Sequence, residues 1–281
     1  MYKRRRYRLE EQEQLIPLIN EIRKDHPRMS ARDIYLKLQP SCMGRDQFEH
    51  FCMDSGYRLK QLRNYRVTTN SLGVTRFPNL IKDIKATRVN QVFVSDITYY
   101  DMGPKTYYLT FIMDLFNREV VGWSASDNLR TENTTIPALH KLVNIRGRVN
   151  IEGAILHSDG GGQYYCKEFK ALTKDLKLVN SMTEETVYEN AHAERLNGII
   201  KNNYLYPYGP TSISSLKRLL DKAVLMYNTG KPHKALGKLT PSEFKKTIDN
   251  EDNSSGYLPL STVNHHIDKR RKINQKRVNV I

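Results

Sequence analysis

The 281-residue chain has no CxxC pair, and its three cysteines, Cys42, Cys52 and Cys166, are widely spaced and odd in number. That excludes a disulfide framework and a thiolate zinc site, and it fits a reducing compartment. No run of about 18 apolar residues occurs, so no membrane span is expected. The basic opening, MYKRRRYRLEEQEQLI, has no apolar stretch after it of the kind a secretory signal needs. Acidic residues are in deficit: 45 Lys and Arg face 30 Asp and Glu, a net charge of +15. Such an excess favours a polyanionic partner, of which nucleic acid is the commonest. The expected place of action is the cytoplasm.

What is present divides the chain into four. Residues 1–60 read as a small helical unit. A first amphipathic run passes through Leu15, Ile19 and Ile22, where Pro17 must start or kink a helix. A second start lies at SARD, with Ser30 as cap and Asp33 able to return the bond. A further helical run, DQFEHFCMDSG, is stopped by Gly56. Two short helices about a tight turn fit a DNA-binding helix-turn-helix or a plain helical hairpin. Residues 61–88 hold no period and read as a linker. From residue 89 to 246 the texture changes. VFVSDITYY, YYLTFIMDLF and VVGWSAS alternate and are rich in β-branched and aromatic residues, as three strands of an antiparallel meander are. There follow a helix from about Glu132 to Ile145, a strand GAILHSD, a helix CKEFKALTKDL, a strand KLVNSM and a helix opening near Glu189. That order is the one of an RNase H-like α/β fold, a five-stranded mixed sheet flanked by helices. Residues 247–281 read as a basic tail.

In that fold the first strand and the end of the fourth lie side by side, and the helix after the fifth strand crosses beside them. Asp96 interrupts the first strand, where an unpaired carboxylate is costly, and Asp159 ends the fourth. Glu194 follows 35 positions later in YENAHAERLNGIIK. As a helix this segment sets Ala193, Leu196, Ile199 and Ile200 on one arc and Asn190, Glu194, Asn197 and Lys201 on another. The polar arc is either a solvated face or one side of an acidic site. Three gathered carboxylates suit two Mg²⁺ ions, with Mn²⁺ as substitute, leaving positions for water and a phosphate.

DITYY, DLFNREVVGW, HSDGGGQYY, SMTEETVYENAHAERLNGIIK and YNTGKPHKALGKLTPSEF, taken in order and spacing over about residues 28 to 246, resemble the OrfB-type transposases of bacterial insertion sequences. The catalytic core of that family is similar to retroviral integrases. The resemblance implies a DDE polynucleotidyl transferase, with Asp96, Asp159 and Glu194 as catalytic metal ligands for 3′-end cleavage and strand transfer of DNA. It also implies self-association on DNA and an upstream-frame protein as partner or fusion. SMTEETVYEN departs from the family pattern: it lacks a Gly-x-Pro and is one residue shorter. Lys201 sits where integrase-like proteins bring a lysine to the DNA end. Asn190, as helix cap or carboxylate holder, His157 and Gln163, which bracket Asp159 as substrate or supporting contacts unless His157 is a buried hydrogen-bonded residue, and Lys231 and His233 complete the candidate DNA-binding set. Gly198 is expected to make room for a close backbone. Two rival functions share these residues in part: a metal-dependent nuclease that does not join, and a DNA-binding derivative indifferent to loss of an acid.

Overall fold

The computed structural model describes residues 2–60, 77–82, 84–184 and 190–254, with side chains from residue 12 to 250. The segments 61–76 and 255–281, most of the expected linker and tail, lie outside the described residues, as does Glu189. No helix among those described is long and apolar enough to cross a membrane.

Strands β1 (Val92–Met102), β2 (Lys105–Asp114) and β3 (Val120–Ser126) form the antiparallel meander, joined by tight turns at Gly103 and at Asn117-Arg118. Helix α4 (Thr135–Arg146) leads to β4 (Ile155–Ser158), and α5 (Lys167–Asp175) leads to β5 (Val179–Met182). Both of these strands add in parallel, so the sheet order is β3-β2-β1-β4-β5. Parallel pairs need a crossover, which each of these two helices provides. α6 (Ala191–Ile200) follows, then a π-helical segment Lys201–Leu205, α7 (Tyr206–Tyr208), α8 (Ile213–Gly230) and α9 (Pro241–Ser254). The expected boundary at residue 246 thus falls inside α9.

Alternation of side chains sorts the core into two layers. Val94, Leu109, Phe111 and Val120 pack with Leu196 and Ile200 of α6 and Leu216, Leu220 and Val224 of α8. On the opposite face Phe93, Ile112 and Val121 pack with Leu139 and Leu142 of α4 and Phe169 of α5. Each fully buried Leu, Ile or Phe contributes about 1.5–3 kcal/mol, so both layers are firm.

The N-terminal unit is a third core, Leu15, Ile19, Ile34, Phe48 and Cys52, shared by α1 (Tyr2–Asp25), α2 (Ala31–Leu38) and α3 (Arg45–Asp54). α1 runs through Pro17 rather than starting there; the residue is exposed, and water can take up the carbonyl that the missing N–H frees. Ser30 does cap α2, accepting from Asp33 N at 3.1 Å. Asp33 itself faces Lys231 of the core at 3.4 Å. α3, the helix that would enter a DNA groove, carries Asp46, Glu49 and Asp54 against Arg45 alone. Its charge repels phosphates, so its electrostatics favour the hairpin reading.

This unit is docked on the core. The His26 imidazole lies edge-on to Tyr204, with Nδ1 3.1 Å from its hydroxyl, and presses on Gly230, where any Cβ would overlap the ring. Lys37 Nζ donates to Gly230 O at 3.1 Å, and Tyr208 Oη donates to Lys24 O. Burial, then Lys37, push His26 down to about 4. The unfolded imidazole takes its proton near 6.5, so between these values the unfolded state binds the extra proton. We expect a contribution to stability that is full above pH 6.5 and drains away toward pH 4, measurable as a fall in unfolding midpoint that His26→Phe abolishes. Gly230→Ala is expected to cost about 1–3 kcal/mol in denaturant titration, because the overlap must push His26 out.

Candidate functional site

β1 carries Asp96 on the same face as Val94 and Tyr100, toward α6. β1 and β4 pair as Val92↔Ile155, Phe93↔Leu156 and Val94↔His157. Continued two residues, that register sets Asp159 abreast of Asp96. α6 packs across β1 and brings Glu194, on its solvent side, to the same place. The electrostatics agree: burial raises the Asp96 carboxyl well above the usual range, and the charges of Asp159 and Glu194 raise it further. Burial raises Asp159 too, against the pull of Gly161 N, which donates to Oδ1 at 3.1 Å. Glu194 is raised by partial burial and by Asp159.

Among the described residues no lysine or arginine figures in the shifts of these three acids. The three share a field without a neutralising cation. They do not form a cage either: among the described residues no three His, Cys, Asp or Glu side chains stand ready to hold a metal ion. The donor set nevertheless fits a hard divalent cation, because it is all carboxylate oxygen and its repulsion is what such a cation would relieve.

Two amide side chains that flank Glu194 hold the helix to the strand. Asn197 Nδ2 donates to Asp96 Oδ2 at 2.5 Å, and Asn190 Nδ2 donates to Ser95 O at 2.9 Å. Both asparagines are buried. Asn190 stands at the N-cap position, yet its side chain makes no cap bond; the bond to β1 replaces the expected one. On the far side of β1, Tyr164 Oη lies 2.9 Å from Ser95 Oγ, which donates to Phe111 O. Burial and the nearby Asp159 and Asp96 hold the Tyr164 phenol protonated far up the scale.

The remaining candidates separate. Lys201 is half-buried on the predicted face, and its Nζ donates to Thr98 Oγ1 at 2.7 Å and Tyr99 O at 3.1 Å, extending the ladder along β1. His157 is fully buried, with Nδ1 2.9 Å from Ser181 Oγ, and cannot reach DNA. Ser181 Oγ also accepts from Leu80 N at 2.9 Å, so this pair anchors residues 77–82 to the sheet edge. Gln163 Nε2 donates to Leu129 O at 3.0 Å, tying two loops beside Asp159 rather than facing outward. Lys231 is spent on Asp33. Gly198 faces open space, with nothing within 4 Å of where a Cβ would be, so no close backbone explains it. Asp114, which ends β2, is a structural acid: it accepts from Asn90 N and Phe116 N and lies 3.9 Å from the buried Arg146.

A second cluster joins two of the expected DNA contacts, Lys231 and His233, to two residues that were not foreseen, Arg118 and Arg195. Arg118, at φ 62° in the β2–β3 turn, Arg195 of α6 and Lys231 act together on the imidazole of His233. Burial first, then these cations, push His233 down to about 3. Partial burial, then Arg118 and Arg195, push His192 down to about 4. Each residue lies in one of the quoted motifs, but only the fold shows that three motifs meet.

Two integrase core domain models match the chain, one over residues 86–185 and another over 181–241. The uncharacterized 31 kDa protein of insertion element IS600 from Shigella sonnei is 30% identical over 73% of this chain and 75% of its own length. InsK of insertion sequence element IS150, from Escherichia coli K12, is 31% identical over 69% of this chain and 66% of its own. The transposase InsF of insertion sequence IS3A, also from Escherichia coli K12, is 29% identical over 68% and 66%. The catalytic core domain of HTLV-2 integrase superposes at a TM-score of 0.45 and 20% identity over 55% of this chain and 95% of that one, too distant a likeness to bear on the argument. From its sheet order, its matched core and its relatives, the chain belongs to the insertion-sequence transposases that carry an integrase core.

Proposed function

We propose that the chain catalyses divalent-metal-dependent 3′-end cleavage of insertion-sequence DNA and joins that end to a second phosphodiester, with Asp96, Asp159 and Glu194 as ligands of Mg²⁺, two ions per site, replaceable by Mn²⁺. The observation that carries this reading is the shared field of three acids from separate elements, in which no Lys or Arg among the described residues takes part. Divalent ions held there supply Lewis-acid activation of the attacking oxygen and charge stabilisation of the leaving one.

The chain's own residues provide the positioning. Asn197 fixes one Asp96 oxygen and the backbone N–H of Ile97 donates to the same carboxylate, while Gly161 N fixes one Asp159 oxygen. Asn190 and Lys201 keep α6 in register with β1, so the exposed Glu194 stays beside the two aspartates. Water and DNA hydroxyls serve as nucleophiles, so no Ser or Tyr is assigned that role. The net charge of +15 supports attraction of the phosphodiester backbone, with sequence reading left to other surfaces or to an upstream-frame partner. Joining two ends calls for at least two copies, so self-association on DNA and action beside the nucleoid belong to the same reading.

The test is joining of a labelled 3′-hydroxyl end into plasmid with Mg²⁺ or Mn²⁺. Asp96→Asn, Asp159→Asn and Glu194→Gln should each lower joining at least about a hundredfold, more than loss of an outer-sphere partner does, with DNA binding kept. Asn197→Ala should lose about ten- to a hundredfold, and Asn197→Asp should not restore it, since a fourth carboxylate adds repulsion. Hydrolysis without joining would favour the nuclease reading, and joining unaffected by Glu194→Gln would remove Glu194 from the site.

A further inference from the structure

The cationic cluster on the other side of α6 has no part in holding three carboxylates. Tyr227 of α8 sets its position. Its ring meets His233 edge-on with centroids 5.0 Å apart. The neighbouring Asn228 clasps the start of β3, accepting from Val120 N and donating to Val120 O, both at 2.9 Å. The clasp brings the β2–β3 turn near this pair, so that the charge of Arg118 acts on Tyr227 and His233. Arg195 reaches the same place from α6: its charge acts on Arg118, His192, Tyr227 and His233 alike.

Two polar atoms there are buried and have no hydrogen-bond partner among the described residues: Arg118 Nη1 and His233 Nε2. Leaving a guanidinium N–H unpaired out of water is costly, and doing so within reach of a second arginine compounds the cost. The carboxylate that Arg118 feels is Asp114, whose oxygens already accept from Asn90 N and Phe116 N. Among the described residues these donors and this positive charge have no acceptor between them.

We propose that Arg118, Arg195 and His233 form a phosphate-binding site that takes a single backbone phosphodiester of the duplex whose end lies at Asp96, Asp159 and Glu194. An arginine offers a planar fork matched to phosphate oxygens, and His233 Nε2 becomes a third donor once an anion balances the cations around it. Arg195 adjoins Glu194 in sequence, so the site lies within a few nucleotides of the acids. There it fixes the register of the strand rather than its sequence.

This rests on the reading of the chain as acting on DNA, and the test separates the two. Duplex binding is measured without divalent metal as a function of salt for the full chain, Arg195→Gln and Arg118→Gln. Arg195 is exposed, so its variant should fold even if the Arg118 change disturbs the turn. Each variant should lower the slope of log K against log salt by about one, and the double variant should lose little more, since both residues serve one phosphate. Unchanged slopes in variants that melt normally would overturn the site, as would a wild-type chain that binds no duplex. Inorganic phosphate is the second probe. If it raises the melting temperature of wild type but not of the variants while the duplex slopes stay equal, the site takes a free anion and the DNA assignment falls. Lowered slopes in a chain that never joins ends would keep the site and remove the transferase reading.

Discussion

A carboxylate in the middle of a sheet strand must be compensated, and here α6 supplies the compensation. Asp96 stands in β1 between buried neighbours, raised by burial and by two further acids. Asn197 meets it directly, Asn190 holds the adjacent Ser95 carbonyl and Lys201 grips Thr98 and Tyr99 further along. A helix fastened so to one strand cannot slide by a residue without breaking all of these bonds. The placement of Glu194 therefore depends less on Glu194, which is exposed, than on the amides either side of it. Tyr164 and Ser95 brace the strand from below, so β1 is held from both faces where the acids gather.

The basic excess is not uniform in what it does. Lys231 and Lys37 are used in docking the N-terminal helices, around a neutral His26 that fits because residue 230 has no side chain. Arg146 is buried against Glu119 at 2.6 Å and near Asp114. Lys141 lies over the Trp123 ring at 4.1 Å and pairs with Asp221, covering the edge strand β3. Cations committed in this way add little to attraction of DNA, so counting charges in a sequence overstates the electropositive surface and does not locate it.

Much of the fold was legible because its signals are local. β3 coincides with VVGWSAS residue for residue, and the other strands and the helices α2 to α6 agree within a few positions, since β-branched runs and apolar periodicity report the element directly. Asp96 and Asp159 were readable for a physical reason, an acid where a strand is buried and an acid where it ends. The polar stripe of α6 was legible as a stripe but not as buried: Asn190 and Asn197 lie under cover because β1 offers them a carbonyl and a carboxylate, which no periodicity encodes. Lys231 misled for the same reason, and His157 took the buried one of its two readings. Both are polar residues in a striking motif, and their partners, Ser181 and Asp33, come from distant parts of the chain. The cationic cluster was illegible because Arg118, Arg195 and His233 belong to three motifs that meet only in space.

The geometry of α6 explains why acids and cations can both crowd one helix. At about 100° per residue, Asn190, Glu194, Asn197 and Lys201 fall within an arc of about 60°. Ala193, Leu196 and Ile200 occupy a second such arc, and His192, Arg195 and Ile199 a third, on the side away from the first. The separation has an electrostatic purpose. An arginine turned toward Asp96 would neutralise it, lower its proton affinity and occupy the place of a divalent cation. Held on the opposite arc, the same arginine leaves the acids unbalanced, as the proposed metal site requires, and faces away from them, as the proposed phosphate site requires. The helix therefore works as a partition between opposite charges, and the partition holds only while the apolar arc stays packed against Val224 and Leu220 of α8.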